Sequence, residues 1–153
     1  MENKDSIKIL VSNKKAHFNY FLSDFLECGI ELFGTEIKSI KNHGCSINDA
    51  YCVIKNNEMF IINMNIAPYE KGTVYNHDPL RNRRLLLHKN EILKFNNRVT
   101  KDGYTIIPTK IYLKKGMCKV EIALGKGKKL YDKRETIKQR DDERNMAKAI
   151  KRT

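Results

Sequence analysis

A chain of 153 residues and 17.9 kDa has the length of one domain with at most a tail. Hydrophobic residues at 41% supply a single core, and no uninterrupted apolar run approaches the roughly 20 residues that a membrane helix requires. Thirty Lys+Arg against eighteen Asp+Glu give a net charge of +12, a balance that gathers polyanions and puts nucleic acid first among expected partners.

Met1 to Lys8 lacks the apolar stretch of a signal peptide, so a cytoplasmic protein with no membrane partner is expected. The positive charge is uneven. Up to Leu124 there are 19 basic and 13 acidic residues, whereas Gly125 to Thr153 holds 11 and 5, so half of the excess lies in the last 29 residues. Cys28, Cys45, Cys52 and Cys118 form no C-x-x-C pair and read as buried thiols in a reducing compartment. His17, His43, His77 and His88 show no ligand spacing, so neither a metal nor any other cofactor is expected.

In chain order, Ile7 to Val11 reads as a strand, followed by a broken apolar strand segment from Phe18 to Phe33 in which Asp24 and Gly29 mark a bend or bulge. A two-turn helix then opens at Gly34-Thr35, with Thr35 as cap, Ile37 and Ile40 on one face and Gly44 as stop. Ala50 to Ile54 and Met59 to Ile66 form a hairpin around Lys55-Asn56-Asn57-Glu58, whose asparagines tolerate positive φ. Pro68 to Pro79 reads as a long loop.

Beyond it, Arg81-Asn82-Arg83-Arg84 is expected to aim guanidinium groups outward from an anchored helix start, ahead of a stripe of Ile92, Phe95 and Val99 that ends near Asp102-Gly103. Thr105 to Leu113 and Met117 to Leu124 make a second hairpin about Lys114-Lys115-Gly116. Val120, Ile122 and Leu124 face one way and Lys119, Glu121 and Ala123 the other, while Pro108 signals an edge or bulge. Five or six bent strands with inserted helices, and no βαβ repeat, suit a mainly β fold with helices: an oligonucleotide-binding (OB) type antiparallel barrel over 1–126.

The remaining 127–153 is a basic tail. It has too few apolar residues for a core but good helix propensity, so it is expected to be disordered when free and helical on binding. Gly125-Lys126-Gly127-Lys128-Lys129 joins backbone freedom to positive charge at a strand exit, yet it lacks the spacing and the Ser or Thr of a nucleotide-hydrolysing loop. His77 and Asp78 stand side by side without a second catalytic carboxylate and are expected to organise the loop. Of the seven tyrosines, Tyr131 alone falls outside the barrel, flanked by charges, where stacking on a base is easiest to defend.

Several of these segments also occur together in one known family: Asn13-Lys14-Lys15-Ala16, Gly34-Thr35-Glu36-Ile37-Lys38-Ser39, Asn76-His77-Asp78-Pro79, Arg83-Arg84-Leu85-Leu86-Leu87-His88 and Gly125 through Arg134. The chain resembles the small protein B, or SsrA-binding protein, family from about Ile7 to its end. The resemblance implies an OB-type barrel without catalytic activity. It would bind the tRNA-like domain of transfer-messenger RNA and deliver it to stalled ribosomes for trans-translation, the rescue and tagging of nascent chains.

It further implies that Glu27, Leu86, His88 and Lys119 lie at the RNA elbow, with Lys14 and Lys15 nearby. Elongation factor Tu would be met through the shared RNA. In the tail, Gly127 would permit a swing and Tyr131 would stack on a base of the decoding centre. Lys128, Lys129, Asp132, Lys133 and Arg134 would contact ribosomal RNA along the message channel, with Ile150 as a distal apolar contact. Phe18 departs from the His that many members carry. The competing readings are a structural ribosomal RNA-binding protein and a small nuclease using His77 and Asp78.

Overall fold

In the computed structural model, which describes residues 7–69 and 76–128, two-residue periodicity and tight turns produce seven strands where five or six were expected. In chain order they are β1 (Ile7–Ser12), helix α1 (Lys14–Asn19), β2 (Tyr20–Ile30), α2 (Gly34–His43), β3 (Tyr51–Lys55), β4 (Glu58–Ile62), β5 (Arg83–Leu86), α3 (Lys89–Asp102), β6 (Thr105–Lys114) and β7 (Met117–Gly127). The hairpin turns are where the sequence puts them. Asn56 and Asn57 take φ of 53° and 61°, and Lys115 and Gly116 take 52° and 75°, the left-handed pairs that match strand twist.

Every pairing is antiparallel. Six strands close a ring in the order β6-β3-β4-β5-β2-β7, with β7 returning to β6, and β1 adds to the free length of β6. Closure removes exposed edges, which is the barrel solution for a chain of this size. Three bulges supply the curvature, at Leu10 in β1, at Asp24 in β2 and after Pro108 in β6. The bulge expected at Asp24 is present with φ of 52°, whereas Gly29 is not bulged. Gly29 is regularly paired, and its missing side chain admits Leu86, whose Cβ would lie only 3.2 Å from a Cβ there.

The interior is filled by Cys28, Met59, Ile61, Ile111, Val120 and Ile122 among others, each 5% exposed or less. Burial pushes the thiols of Cys28 and Cys45 up to about 12 and that of Cys118 up to about 11, so they persist as thiols. Ala123, expected outside, is fully buried.

Helix α1 was not anticipated, and Phe18 belongs to it and not to β2. It starts because Asn13 caps it: the side-chain oxygen accepts from Ala16 N at 3.0 Å. The same amide donates to Ile47 O at 3.0 Å and Pro108 O at 2.9 Å, tying the helix start to the loop after α2 and to β6. In α2 the N-cap is Phe33 and not Thr35. Glu36 accepts from Phe33 N at 2.8 Å, and Gly44 ends the helix at φ of 77° as expected. Thr35 Oγ1 instead lies 2.9 Å from His77 Nδ1.

The outward arginine cluster is overturned. Arg83–Leu86 is a strand, and Arg83 is fully buried with Nε bonded to Glu36 and one terminal nitrogen donating to Met64 O at 2.8 Å. Arg81 completes the cluster at 2.6 Å from Glu36, while Arg84 lies outside between Glu31 at 2.5 Å and Glu58 at 3.2 Å. Burial alone would raise the Glu36 carboxyl; the Arg81 hydrogen bond, the Phe33 N–H and Arg83 outweigh it and hold it below the usual range. Burial also draws Arg83 down against the attraction of Glu36, but an arginine starts so far above neutrality that it stays charged.

A carboxylate whose value is lower in the folded than in the unfolded chain stabilises the fold above the unfolded value and stops doing so as pH falls through the folded one. Unfolding free energy should therefore decline below about pH 4. Glu36→Gln should cost about 3–5 kcal/mol by urea denaturation and flatten that acid limb, because it strands a buried guanidinium; an unchanged midpoint would contradict the role given to the cluster.

Candidate nucleic-acid interface

Residues directly opposite on antiparallel strands share a face, and one such row crosses five strands of the barrel. Leu86 on β5 lies opposite Gly29 on β2, Gly29 opposite Lys119 on β7, Lys119 opposite Tyr112 on β6, and Tyr112 opposite Ile9 on β1. A second row two residues along runs Glu27, Glu121, Lys110 and Ser12. Leu86 is 45% exposed, Glu27 is exposed and Lys119 is half-buried, so alternation turns all three outward as expected for Lys119.

The two rows are joined through Tyr112. Its hydroxyl donates to Glu27 Oε1 at 2.6 Å, reaching over β7, and Lys114 Nζ approaches the same carboxylate at 3.4 Å. The Tyr112 hydrogen bond outweighs burial and, with Lys114 and Lys119, holds the Glu27 carboxyl below its ordinary value. Burial and the Glu27 partner push the Tyr112 phenol up, so it remains a donor. Lys110 covers its ring at 5.8 Å. The face therefore combines a fixed acceptor, flanking ammonium groups and an apolar Leu86, a set suited to hydroxyls and base edges as well as phosphate.

His88 is exposed at the start of α3, where its N–H donates to Glu91 Oε1 at 3.0 Å, two residues beyond Leu86. Lys14 and Lys15 begin α1 just past Ser12, the end of the second row. With strands about 4.8 Å apart, Ser12 itself lies about 14 Å from Glu27 along the sheet. Lys15 pairs with Asp49 at 2.7 Å. Tyr112, Lys110 and Lys114 were not singled out, although their i, i+2, i+4 spacing along one strand was the available signal.

At the other end of β7, Gly127 is the last strand residue, paired with Tyr20, and Lys128 N donates to Asn19 O at 2.9 Å. Gly125 is closely packed, since a Cβ there would lie 2.7 Å from the end of the Ile107 side chain and 3.2 Å from the Tyr20 ring. Lys129, Tyr131, Asp132, Lys133, Arg134 and Ile150 lie outside the described residues. His77 and Asp78 organise the loop as expected. The buried His77 ring donates from Nε2 to Ile66 O at 2.9 Å and meets Thr35 through Nδ1, and Asp78 accepts from Leu80 N at 3.0 Å. Among the described residues no helix is long and apolar enough to cross a membrane.

The family model described as SmpB protein matches residues 10–152, nearly the whole chain. The chain belongs to the SmpB family. It is 56% identical over 145 residues to the SsrA-binding protein of Malacoplasma penetrans, covering 95% of this chain and 99% of that one. It is 50% identical over 150 residues to that of Caldanaerobacter subterraneus subsp. tengcongensis, covering 98% and 95%. A solved chain from work described as "tmRNA-SmpB: a journey to the center of the bacterial ribosome" superposes with a TM-score of 0.65 at 38% identity, over 78% of this chain and 85% of that one. The OB-type antiparallel barrel read from the sequence is thus the fold of this family.

The Tyr112 bond gives a direct check on the face. Tyr112→Phe should leave the barrel folded and raise the Glu27 carboxyl pKa, read by pH titration of its side-chain carbon resonance. An unmoved titration curve would remove Tyr112 from the face.

Proposed function

We propose that this chain is a non-catalytic RNA-binding adaptor. It holds the tRNA-like domain of transfer-messenger RNA on its barrel and brings it to stalled ribosomes for trans-translation, meeting elongation factor Tu through the shared RNA. One observation carries the barrel part: Leu86, Glu27 and Lys119, distant in sequence, come to one outward face across β5, β2 and β7. His88 follows directly from β5, and Lys14 and Lys15 flank the end of the second row. Family membership and the names printed for the relatives supply the RNA class.

On this reading the segment 127–153 is a separate functional unit that orders on the ribosome. Gly127 would act as its pivot, Lys128, Lys129, Tyr131, Asp132, Lys133 and Arg134 would contact ribosomal RNA, and Ile150 would make the distal apolar contact. Its excess of five positive charges suits a polyanionic channel.

Two experiments test the division. Lys119→Ala should weaken binding to the tRNA-like domain by about 1–3 kcal/mol in a gel shift at fixed salt, as loss of a partly desolvated charged hydrogen bond does; wild-type affinity would remove the face from the interface. A chain ending at Gly127 should bind that RNA as the full chain does yet fail to support tagging on messages without a stop codon, and retained tagging would refute the role of the tail.

A further inference from the structure

The β2 bulge has a second product. It leaves Phe25 51% exposed at the mouth of a depression of about 190 Å³ that it shares with Lys94, Phe95 and Glu91. Four residues earlier Phe21 is 54% exposed, paired across the ladder with Lys126, and the Lys128 ammonium lies 5.1 Å from its ring. Tyr104 joins these parts, because its ring carries Arg98 and Lys126 each at 4.8 Å, and Arg98 is within electrostatic reach of Asp24 in the bulge. Lys94, Arg98 and Lys101 recur at i, i+4 and i+7 on α3, away from its buried Ile92 and Phe95.

Cations outnumber acids along this strip: Lys94, Arg98, Lys101, Lys126 and Lys128 against Asp24, Glu91 and Asp102. Among the described residues, Lys94, Lys101 and Lys126 make no ion pair with a carboxylate. Of the nearby acids, Asp102 is held by Arg98 at 3.1 Å, Glu91 accepts from the His88 N–H, and Asp24, which also lines the depression, is within electrostatic reach of Arg98. Exposed aromatic rings interleaved with uncompensated cations match an unpaired polynucleotide, whose bases offer faces to stack and whose phosphates take the charge. A duplex would leave both phenylalanines without a partner, and an acidic peptide would leave the rings unused.

We infer that Phe21, Phe25, Lys94 and Lys126 form a second RNA-binding surface, for an unpaired stretch of RNA separate from the one held by the Glu27, Leu86 and Lys119 face. A base stacks on Phe25 in the bulge depression, with Lys94 on the adjoining phosphate, and the strand continues past Tyr104 to Phe21. The bulge accounts for the exposure of Phe25, since a regular ladder has no extra residue there. This inference goes beyond the proposed function and uses none of the residues assigned to the tRNA-like domain.

The test uses the full chain and a fluorescein-labelled 12-nucleotide oligoadenylate, with polarisation read at two salt concentrations. Phe25→Ala and Lys94→Glu should each weaken oligonucleotide binding about fivefold or more, Phe25→Tyr should restore it, and Lys94→Glu should also flatten the salt dependence. Lys119→Ala should bind the oligonucleotide as wild type, and saturating tRNA-like domain should not displace it. The inference is overturned if wild type fails to bind, if Phe25→Ala and Lys94→Glu bind normally while still melting like wild type, or if the tRNA-like domain competes. Should Lys119→Ala leave binding of the tRNA-like domain intact, the earlier assignment fails and this one stands.

Discussion

The buried Glu36 carboxylate, gripped by Arg83 and Arg81, is the interaction on which the arrangement of the barrel depends. It locks α2 against β5, and through the Arg83 bond to Met64 O it also fixes the chain leaving β4. Strand alternation turns that lock into a statement about function. With Arg83 and Leu85 inside, Arg84 and Leu86 must face out, so the charge cluster selects the register that presents Leu86 on the face proposed for RNA. A slip of one residue would bury Leu86 and expel a guanidinium whose partner is fully enclosed. Both losses are large beside the few kcal/mol that separate folded from unfolded chains.

What was legible in the sequence follows from what hydrophobic pattern and turn chemistry encode. Asn56-Asn57 and Lys115-Gly116 gave their hairpins because left-handed φ is a local property, and Ile92, Phe95 and Val99 gave α3 because its apolar stripe is long. Arg83 was misread because a four-residue strand that opens with two arginines looks like a solvated surface. Its partner Glu36 stands 47 residues away with nothing local to announce it. Helix α1 was missed although its cap Asn13 is a local signal, because at six residues it is too short to show an apolar stripe. On the face proposed for RNA, alternation alone oriented Lys119, family resemblance supplied Glu27, Leu86 and His88, and Tyr112 needed the juxtaposition of β6, β7 and β2 that only the folded sheet creates.

The two proposed surfaces would ask different things of RNA, and β7 spans both. Lys119 and Lys126 are seven residues apart on a continuous strand, about 23 Å. Around Lys119 the cations share the surface with Glu27, whose carboxylate Tyr112 keeps ionised. An ionised acceptor repels phosphate, so a face built around it rewards RNA that brings a hydroxyl or amino donor to that point and penalises backbone laid there at random. Around Lys126 the cations stand on aromatic rings with few acids among them, a surface that tolerates any sequence and weakens as salt rises. On these proposals, selectivity for a folded RNA would belong with the acid on the barrel face, and sequence-independent grip with the strand exit. Because the ladder to β2 and β6 holds β7 along its length, the distance between the two is fixed by the barrel itself and not by the tail that follows it.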